Sequence, residues 1–111
     1  MDATNATVNS QSIIIALDSI VTDTDPNLDW VKWIEDERKY LRKRFPEKEY
    51  FPDDYYERLE AWWSSSPEAR LIDPLLVAPL ENNRFQLVDG HHRYAICIKY
   101  GITDVPVICD L

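Results

Sequence analysis

Leu87-Val88-Asp89-Gly90-His91-His92-Arg93-Tyr94-Ala95 decides how this chain is read. A strand, Phe85-Gln86-Leu87-Val88, passes through one glycine into a short helix predicted from His91 to Tyr100. Gly90 can take a backbone conformation closed to other residues, and it leaves room for a close approach. The first turn of a helix carries unpaired N–H groups and a partial positive charge, which together suit an anion. Two imidazoles and a guanidinium at the same spot add donors, and Arg93 has the shape to grip a phosphate bidentately. Asp89 stands where it could hold a metal-bound nucleotide, accept a proton, or orient Arg93 or His92. Such a turn is often only structural. His91, His92 and Arg93 together argue for a ligand, because polar donors at a helix start are poor core material.

The segments on either side fit the same frame. Leu75 to Pro79 reads as a strand, Glu81-Asn82-Asn83-Arg84 as a turn, and Gly101 as a helix end. Val105 to Cys109 reads as a last strand, with Pro106 implying an edge position or a strand start. Upstream, Ser12 to Leu17 is rich in β-branched residues and reads as a buried strand, with Asp18-Ser19-Ile20-Val21 leading into a turn. Thr24-Asp25-Pro26 looks like a helix start, capped by Asp25. Trp30, Ile34, Leu41 and Phe45 then fall near one face, with Trp33 and Tyr40 beside it, until Pro46 stops the helix. Phe51-Pro52-Asp53 opens a second helix, with Tyr55, Leu59 and Trp62 as its stripe and Tyr56 and Trp63 flanking. Ser64 to Pro67 closes it. Residues 1–11 are polar and read as a disordered tail, leaving 12–111 as a single domain. The fold class is α/β (α+β), a small mixed sheet with helices.

Composition bounds the function. The chain has 111 residues, 45% of them hydrophobic, with four Trp, six Tyr and three Phe. That suits one globular domain with a core of its own. A net charge of -8 makes it a poor candidate for duplex DNA binding by itself, which relies on neutralising phosphates. Two cysteines, Cys97 and Cys109, form no zinc-ligand pattern, so no metal site is expected. The start, Met1-Asp2-Ala3-Thr4, does not resemble a signal peptide, and no apolar run is long enough to span a bilayer. The expectation is a cytoplasmic protein with reduced thiols.

Three segments in order carry a family resemblance: Ile72-Asp73-Pro74-Leu75-Leu76-Val77, then Phe85 to Tyr94, then Gly101 to Ile108. They resemble the ParB/sulfiredoxin superfamily, with its Pro-Leu-x-Val strand, its Gly-x-x-Arg strand-to-helix turn and its Val-Pro-Val strand. The resemblance is closest over 72–109 and upstream is one of layout, including Ile14 to Ile20 as the first strand. It implies a site for nucleotide phosphates, with Gly90 and Arg93 at the shared positions. ParB proteins, which bind CTP, usually have Glu-Arg between these two residues. Sulfiredoxins, which use ATP, have Cys-His. Here His92 matches the sulfiredoxin histidine, but His91 stands where the catalytic cysteine would be, which argues against sulfinic acid reduction. The Asp-Gly-His-His-Arg form is more similar to free-serine kinases and to the Asp-Gly-Gln-His-Arg proteins of DNA-modification systems. The helix-turn-helix and dimerisation domains of full ParB proteins are not expected within these 111 residues.

The resulting assignment has Gly90, His91, His92 and Arg93 binding the phosphates of ATP or CTP, with Asp89 and His92 as the catalytic pair. If the protein is an enzyme, phosphotransfer or nucleotide hydrolysis with Mg²⁺ suits these groups. The alternative is a non-catalytic nucleotide-sensing or protein- and DNA-interaction module of a plasmid, phage or DNA-modification system. A nuclease is the third reading. The resemblance to kinase members of the superfamily, in which an acidic residue upstream serves as base, makes Glu35 or Glu37 a candidate base. Arg38-Lys39 and Arg42-Lys43-Arg44 read as a solvated basic face rather than a nucleic-acid surface. Trp30, Trp33, Trp62 and Trp63 read as core, with a protein-binding surface as the alternative.

Overall fold

The strand–glycine–helix unit forms as the sequence predicts. The computed structural model describes residues 12–44 and 55–109. The tail at 1–11, the helix stop at Pro46 and the helix start at Phe51-Pro52-Asp53 lie outside the described residues. Among those described, the strands are β1 (Ile13–Ala16), β2 (Ile20–Val21), β3 (Leu75–Pro79), β4 (Phe85–Asp89) and β5 (Asp104–Cys109). The helices are α1 (Trp30–Arg44), α2 (Tyr55–Ser65), α3 (Pro67–Ile72) and α4 (His91–Tyr100). The sheet is mixed, in the order β1-β5-β3-β4-β2, and the fold is α+β.

β1 and β2 are nearly consecutive in sequence yet lie on opposite edges of the sheet. Only a 3-10 turn, Leu17–Ser19, separates them. The sheet must therefore curl until its edges approach. β1 pairs antiparallel with β5, and β2 pairs parallel with β4. This corrects the expectation of a buried strand at 12–17: β1 is an edge strand, with Ile13 and Ile14 exposed. It also turns Ile20-Val21 from a turn into a strand, with Ile20 in the core. Pro106 is a second correction. β5 lies between β1 and β3, not at an edge. Its ladder with β3 begins at Val107, one residue after the proline, so the residue lacking an N–H sits at the margin of that ladder.

The β3–β4 hairpin turns through Asn82 and Asn83, both at positive φ (61° and 59°). Asparagine tolerates this conformation, and it matches the twist of a hairpin. Further along, the β3–β4 register shifts between Leu76 and Val77, so Val88 is an extra residue. A bulge of this kind re-aims the strand end. Leu87 is buried, Val88 and Asp89 face solvent, and Gly90 turns inward.

The helices start and pack differently from the sequence expectation. Asp25 makes a local turn, accepting from the N–H of Asn27 at 2.9 Å, and α1 begins at Trp30. Asp29 takes the cap role, accepting from the N–H of Lys32 at 3.1 Å. Among the described side chains of α1, Ile34 and Arg38 are buried, while Tyr40 is exposed. Among those of α2, Glu60 and Trp63 are buried, and Leu59 and Trp62 face outward. The predicted Leu59–Trp62 stripe was thus out of phase. Aromatic residues on both faces left the apolar period ambiguous, and tertiary contacts chose between them. α3 was not anticipated. Ser64 to Pro67 ends α2, but Ser66 also caps α3, accepting from the N–H of Ala69 at 3.2 Å with Pro67 in the first turn.

Ala95, Ile96 and Cys97 of α4 join the core with Leu75, Val77, Leu87, Val105 and Val107. Burial pushes the Cys97 thiol up to about 12, against a smaller opposing effect of Arg70. The thiolate is the reactive form. In the folded protein at pH 8, a chromogenic disulfide reagent is therefore expected to titrate at most the half-buried Cys109. Prompt reaction of both thiols before unfolding would contradict that packing.

Candidate functional site

Gly90 caps α4 at φ +103°, in the left-handed region, and no side chain caps the helix start. A Cβ there would meet Leu75 Cδ2 at 2.8 Å, with Arg93 Nη2 at 3.3 Å. Only glycine fits both the backbone and the space. The first helical bond of α4 runs from the N–H of Tyr94 to the carbonyl of Gly90 (2.8 Å). The N–H groups of the turn before it are the ones a helix leaves unpaired. Asp89 Oδ1 accepts from the N–H of Gly90 at 2.8 Å and so braces the turn.

Arg93 does not lean on Asp89. Its Nη1 donates to the carboxylate of Asp73, to the carbonyl of Pro74 at 3.0 Å and to the carbonyl of Asp73 at 3.3 Å. The carbonyl of Asp73 also accepts from Trp63 Nε1 at 3.0 Å. The Asp73-Pro74 junction therefore ties α2, β3 and the start of α4 together. Arg93 is an anchor as well as a candidate clamp, and its Nε and Nη2 lie across Gly90.

His91 and His92 point α4 toward α1. The His91 ring stacks near Trp30, with centroids 6.4 Å apart, and His92 lies 5.1 Å from Trp33. Trp30 meets Trp33 and Tyr94 edge-on, at 5.2 and 5.0 Å. Nε2 of His92 is buried and has no hydrogen-bond partner among the described residues. Burial holds the His92 imidazole below its ordinary value. Glu37 opposes this, and Arg38, His91 and Arg93 reinforce it. Of the two candidate bases, Glu37 thus lies within electrostatic reach of the turn, while Glu35 is exposed on α1.

His92 and Arg93 also line a cavity of about 290 Å³ between α1, α2 and α4, with Arg38, Glu60, Trp62 and Trp63 among its walls. At its wall is a buried charge cluster absent from the sequence assignment. Arg38 Nη2 donates to Glu60 Oε1 at 2.5 Å. Glu60 Oε2 accepts from Lys99 Nζ at 2.8 Å and from the hydroxyl of Tyr100 at 2.5 Å. Arg38 and Glu60 are only 6% and 5% exposed. Arg38 is therefore a buried partner of α2, which corrects its reading as part of a solvated basic face. A clue existed in the spacing: Arg38 follows Trp30 and Ile34 at steps of four, on the apolar stripe. Burial disfavours the Glu60 carboxylate, but hydrogen bonds from Lys99, Tyr100 and Arg38 outweigh it, and its pKa falls below the ordinary value. No group of three His, Cys, Asp or Glu that could hold a metal occurs among the described residues. None of the described helices is long and apolar enough to cross a membrane.

The sequence profile of the ParB N-terminal domain family matches residues 49–110. No curated protein matches the sequence. Among solved structures, C-terminally truncated SbnI from Staphylococcus aureus is 18% identical with a TM-score of 0.51, over 94% of this chain and 32% of its own. That likeness is one of fold. The C-terminally truncated chromosome-partitioning protein ParB from Caulobacter crescentus, complexed with CTP-γ-S, is 16% identical with a TM-score of 0.48, over 89% of this chain and 43% of its own. The chain thus spans less than half the length of either.

Proposed function

The chain belongs to the ParB N-terminal domain family, and from that premise we propose that it binds a nucleoside triphosphate through the start of α4. The observation that carries this is the uncapped helix start at Gly90, where a Cβ would collide with Leu75. Helix N–H groups and the dipole supply the phosphate site, and His91, His92 and Arg93 add donors around it. The buried, unpartnered Nε2 of His92 is a polar atom that a ligand oxygen would satisfy. Residues 12–111 act as one cytoplasmic domain in this reading, with ATP and CTP as the leading candidates.

Binding comes before turnover in the proposal, because Asp89 uses a carboxylate oxygen to brace Gly90. Phosphotransfer or hydrolysis with Mg²⁺ is the second reading. It is favoured by the exposure of Asp89 beside the turn, where a phosphate-bound metal or a water could approach. If this second reading holds, Asp89→Asn abolishes turnover while sparing binding.

Thermal unfolding with ATP, ADP, CTP and GTP, each with Mg²⁺, tests the first reading. A ligand at 100 times its Kd adds about 2.7 kcal/mol, which raises the Tm of a domain this size by roughly 10 °C. Arg93→Ala is expected to lose that rise relative to its own baseline, which will be lower because Asp73 and Pro74 lose their anchor. If no nucleotide moves the wild-type Tm, the turn is structural.

A further inference from the structure

Arg93 meets its partners through one nitrogen. Nη1 donates to the carboxylate of Asp73 and to the carbonyls of Asp73 and Pro74. Trp63, only 2% exposed, donates from Nε1 to the same Asp73 carbonyl at 3.0 Å, so a core residue holds that acceptor in place. A guanidinium is planar, with its N–H donors in a fixed fork. Pinning Nη1 therefore sets the direction of the edge formed by Nε and Nη2. Neither atom has a hydrogen-bond partner among the described residues. They lie 3.4 and 3.3 Å from where a Cβ would stand on Gly90. The Arg93 side chain keeps 23% of its surface open. Its pairing with Asp73 thus leaves one fork of the guanidinium unused and aimed at the turn.

We propose that Asp73 is a positioning residue: its carboxylate holds Arg93 by Nη1 so that the Nε–Nη2 edge is presented to the ligand at Gly90. Asp73 acts through Arg93 and does not itself touch the ligand. The two backbone carbonyls that also accept from Nη1 are neutral and make weaker bonds than a carboxylate does. Without the carboxylate, the guanidinium is free to swing out of register with the turn. The arrangement carries an electrostatic cost, because the Asp73 side chain is 56% exposed and puts a negative charge beside an anion site. That cost makes the sign of the effect decisive. A carboxylate that only screened Arg93 would weaken anion binding, whereas one that positions Arg93 strengthens it. The inference rests on the nucleotide-binding reading and adds to it a residue 20 positions upstream of Arg93.

Calorimetric Kd values for ATP, CTP and pyrophosphate test this, each variant being measured below its own Tm. Asp73→Ala is expected to weaken binding roughly tenfold, within the range of coupled neighbours. Asp73→Asn keeps an oxygen that accepts from Nη1 and should recover most of the affinity. In an Arg93→Ala background, the further change Asp73→Ala should no longer weaken binding. A second readout uses the wild type alone. The Nε–H proton signal of Arg93, assigned by its loss in Arg93→Ala, should move downfield when pyrophosphate binds. A purely structural tie between β3 and α4 would lower Tm in Asp73→Ala but leave Kd and its dependence on Arg93 unchanged. If a nucleotide binds while Asp73→Ala binds as well or better, if Asp73→Asn is no better than Asp73→Ala, or if the Arg93 signal stays in place, this inference fails and the nucleotide reading stands. If neither nucleotides nor pyrophosphate bind the wild type, both fail.

Discussion

Glu60→Ala is expected to lower unfolding stability by about 3–5 kcal/mol, because it leaves the Arg38 guanidinium buried without its carboxylate. With a urea m-value near 2 kcal/mol/M, the denaturation midpoint drops by roughly 2 M. Few single substitutions cost so much, and for a marginally stable domain this is a large share of the total. The effect arises from the buried Arg38–Glu60 pair, while Lys99 and Tyr100 are exposed and regain water. The double variant Arg38→Met, Glu60→Met should recover most of the loss, since apolar side chains of similar size often replace a buried pair without penalty. A loss below about 1 kcal/mol for Glu60→Ala would instead be typical of an exposed pair and would mean that the cluster is open to water.

The same pair gives the protein an acid limit. The folded pKa of Glu60 lies below its ordinary value of 4.5. A depressed carboxyl contributes stability that is complete above the unfolded value and is lost as pH falls through the folded one. The wild type should therefore lose this contribution below about pH 4.5, and Glu60→Ala, which lacks it, should show a shallower acid decline.

Gly90→Ala is the second large effect. The left-handed backbone at φ +103° costs about 1–3 kcal/mol for a residue with a Cβ. The 2.8 Å approach to Leu75 Cδ2 adds about 1–3 kcal/mol of overpacking unless Leu75 yields. Gly101→Ala is the matched control. It shares the left-handed conformation, at φ +67°, but a Cβ there meets nothing within 4 Å. Its cost should stay near 1–2 kcal/mol. The difference between the two reports the close contacts at Gly90, with Leu75 first and Arg93 second, together with the extra backbone strain of φ +103° over φ +67°. The nucleotide response should vanish in Gly90→Ala and survive in Gly101→Ala. Equal costs and equal responses in both would show that the Gly90 turn is neither tightly packed nor part of a ligand site.

The candidate site was half visible in the sequence. Asp89 to Arg93 stood out because a strand, a glycine and a helix start follow one another within a few residues. Asp73 was quoted only as part of a family pattern, yet it holds Arg93 through its carboxylate and its carbonyl. Arg38 and Glu60 are 22 residues apart, and no local rule pairs them.

The sequence by itself determined the features that depend on neighbouring residues. These include the β3–β4 hairpin, the glycine entry to α4 and its end at Gly101, where the N–H of Ile102 reaches the carbonyl of Cys97 at 2.9 Å. Each is set by allowed backbone angles and by hydrogen bonds a few residues long. Only the tertiary structure decided which face of α1 and α2 is buried, that β1 is an exposed edge and that β5 runs inside the sheet. It alone brought Arg38, Glu60, Asp73 and His92 around one cavity. The physical reason is that burial is a property of the whole packing arrangement. Trp and Tyr occur on more than one face of each aromatic helix. The choice fell to the faces whose charged members, Arg38 and Glu60, could neutralise each other out of water.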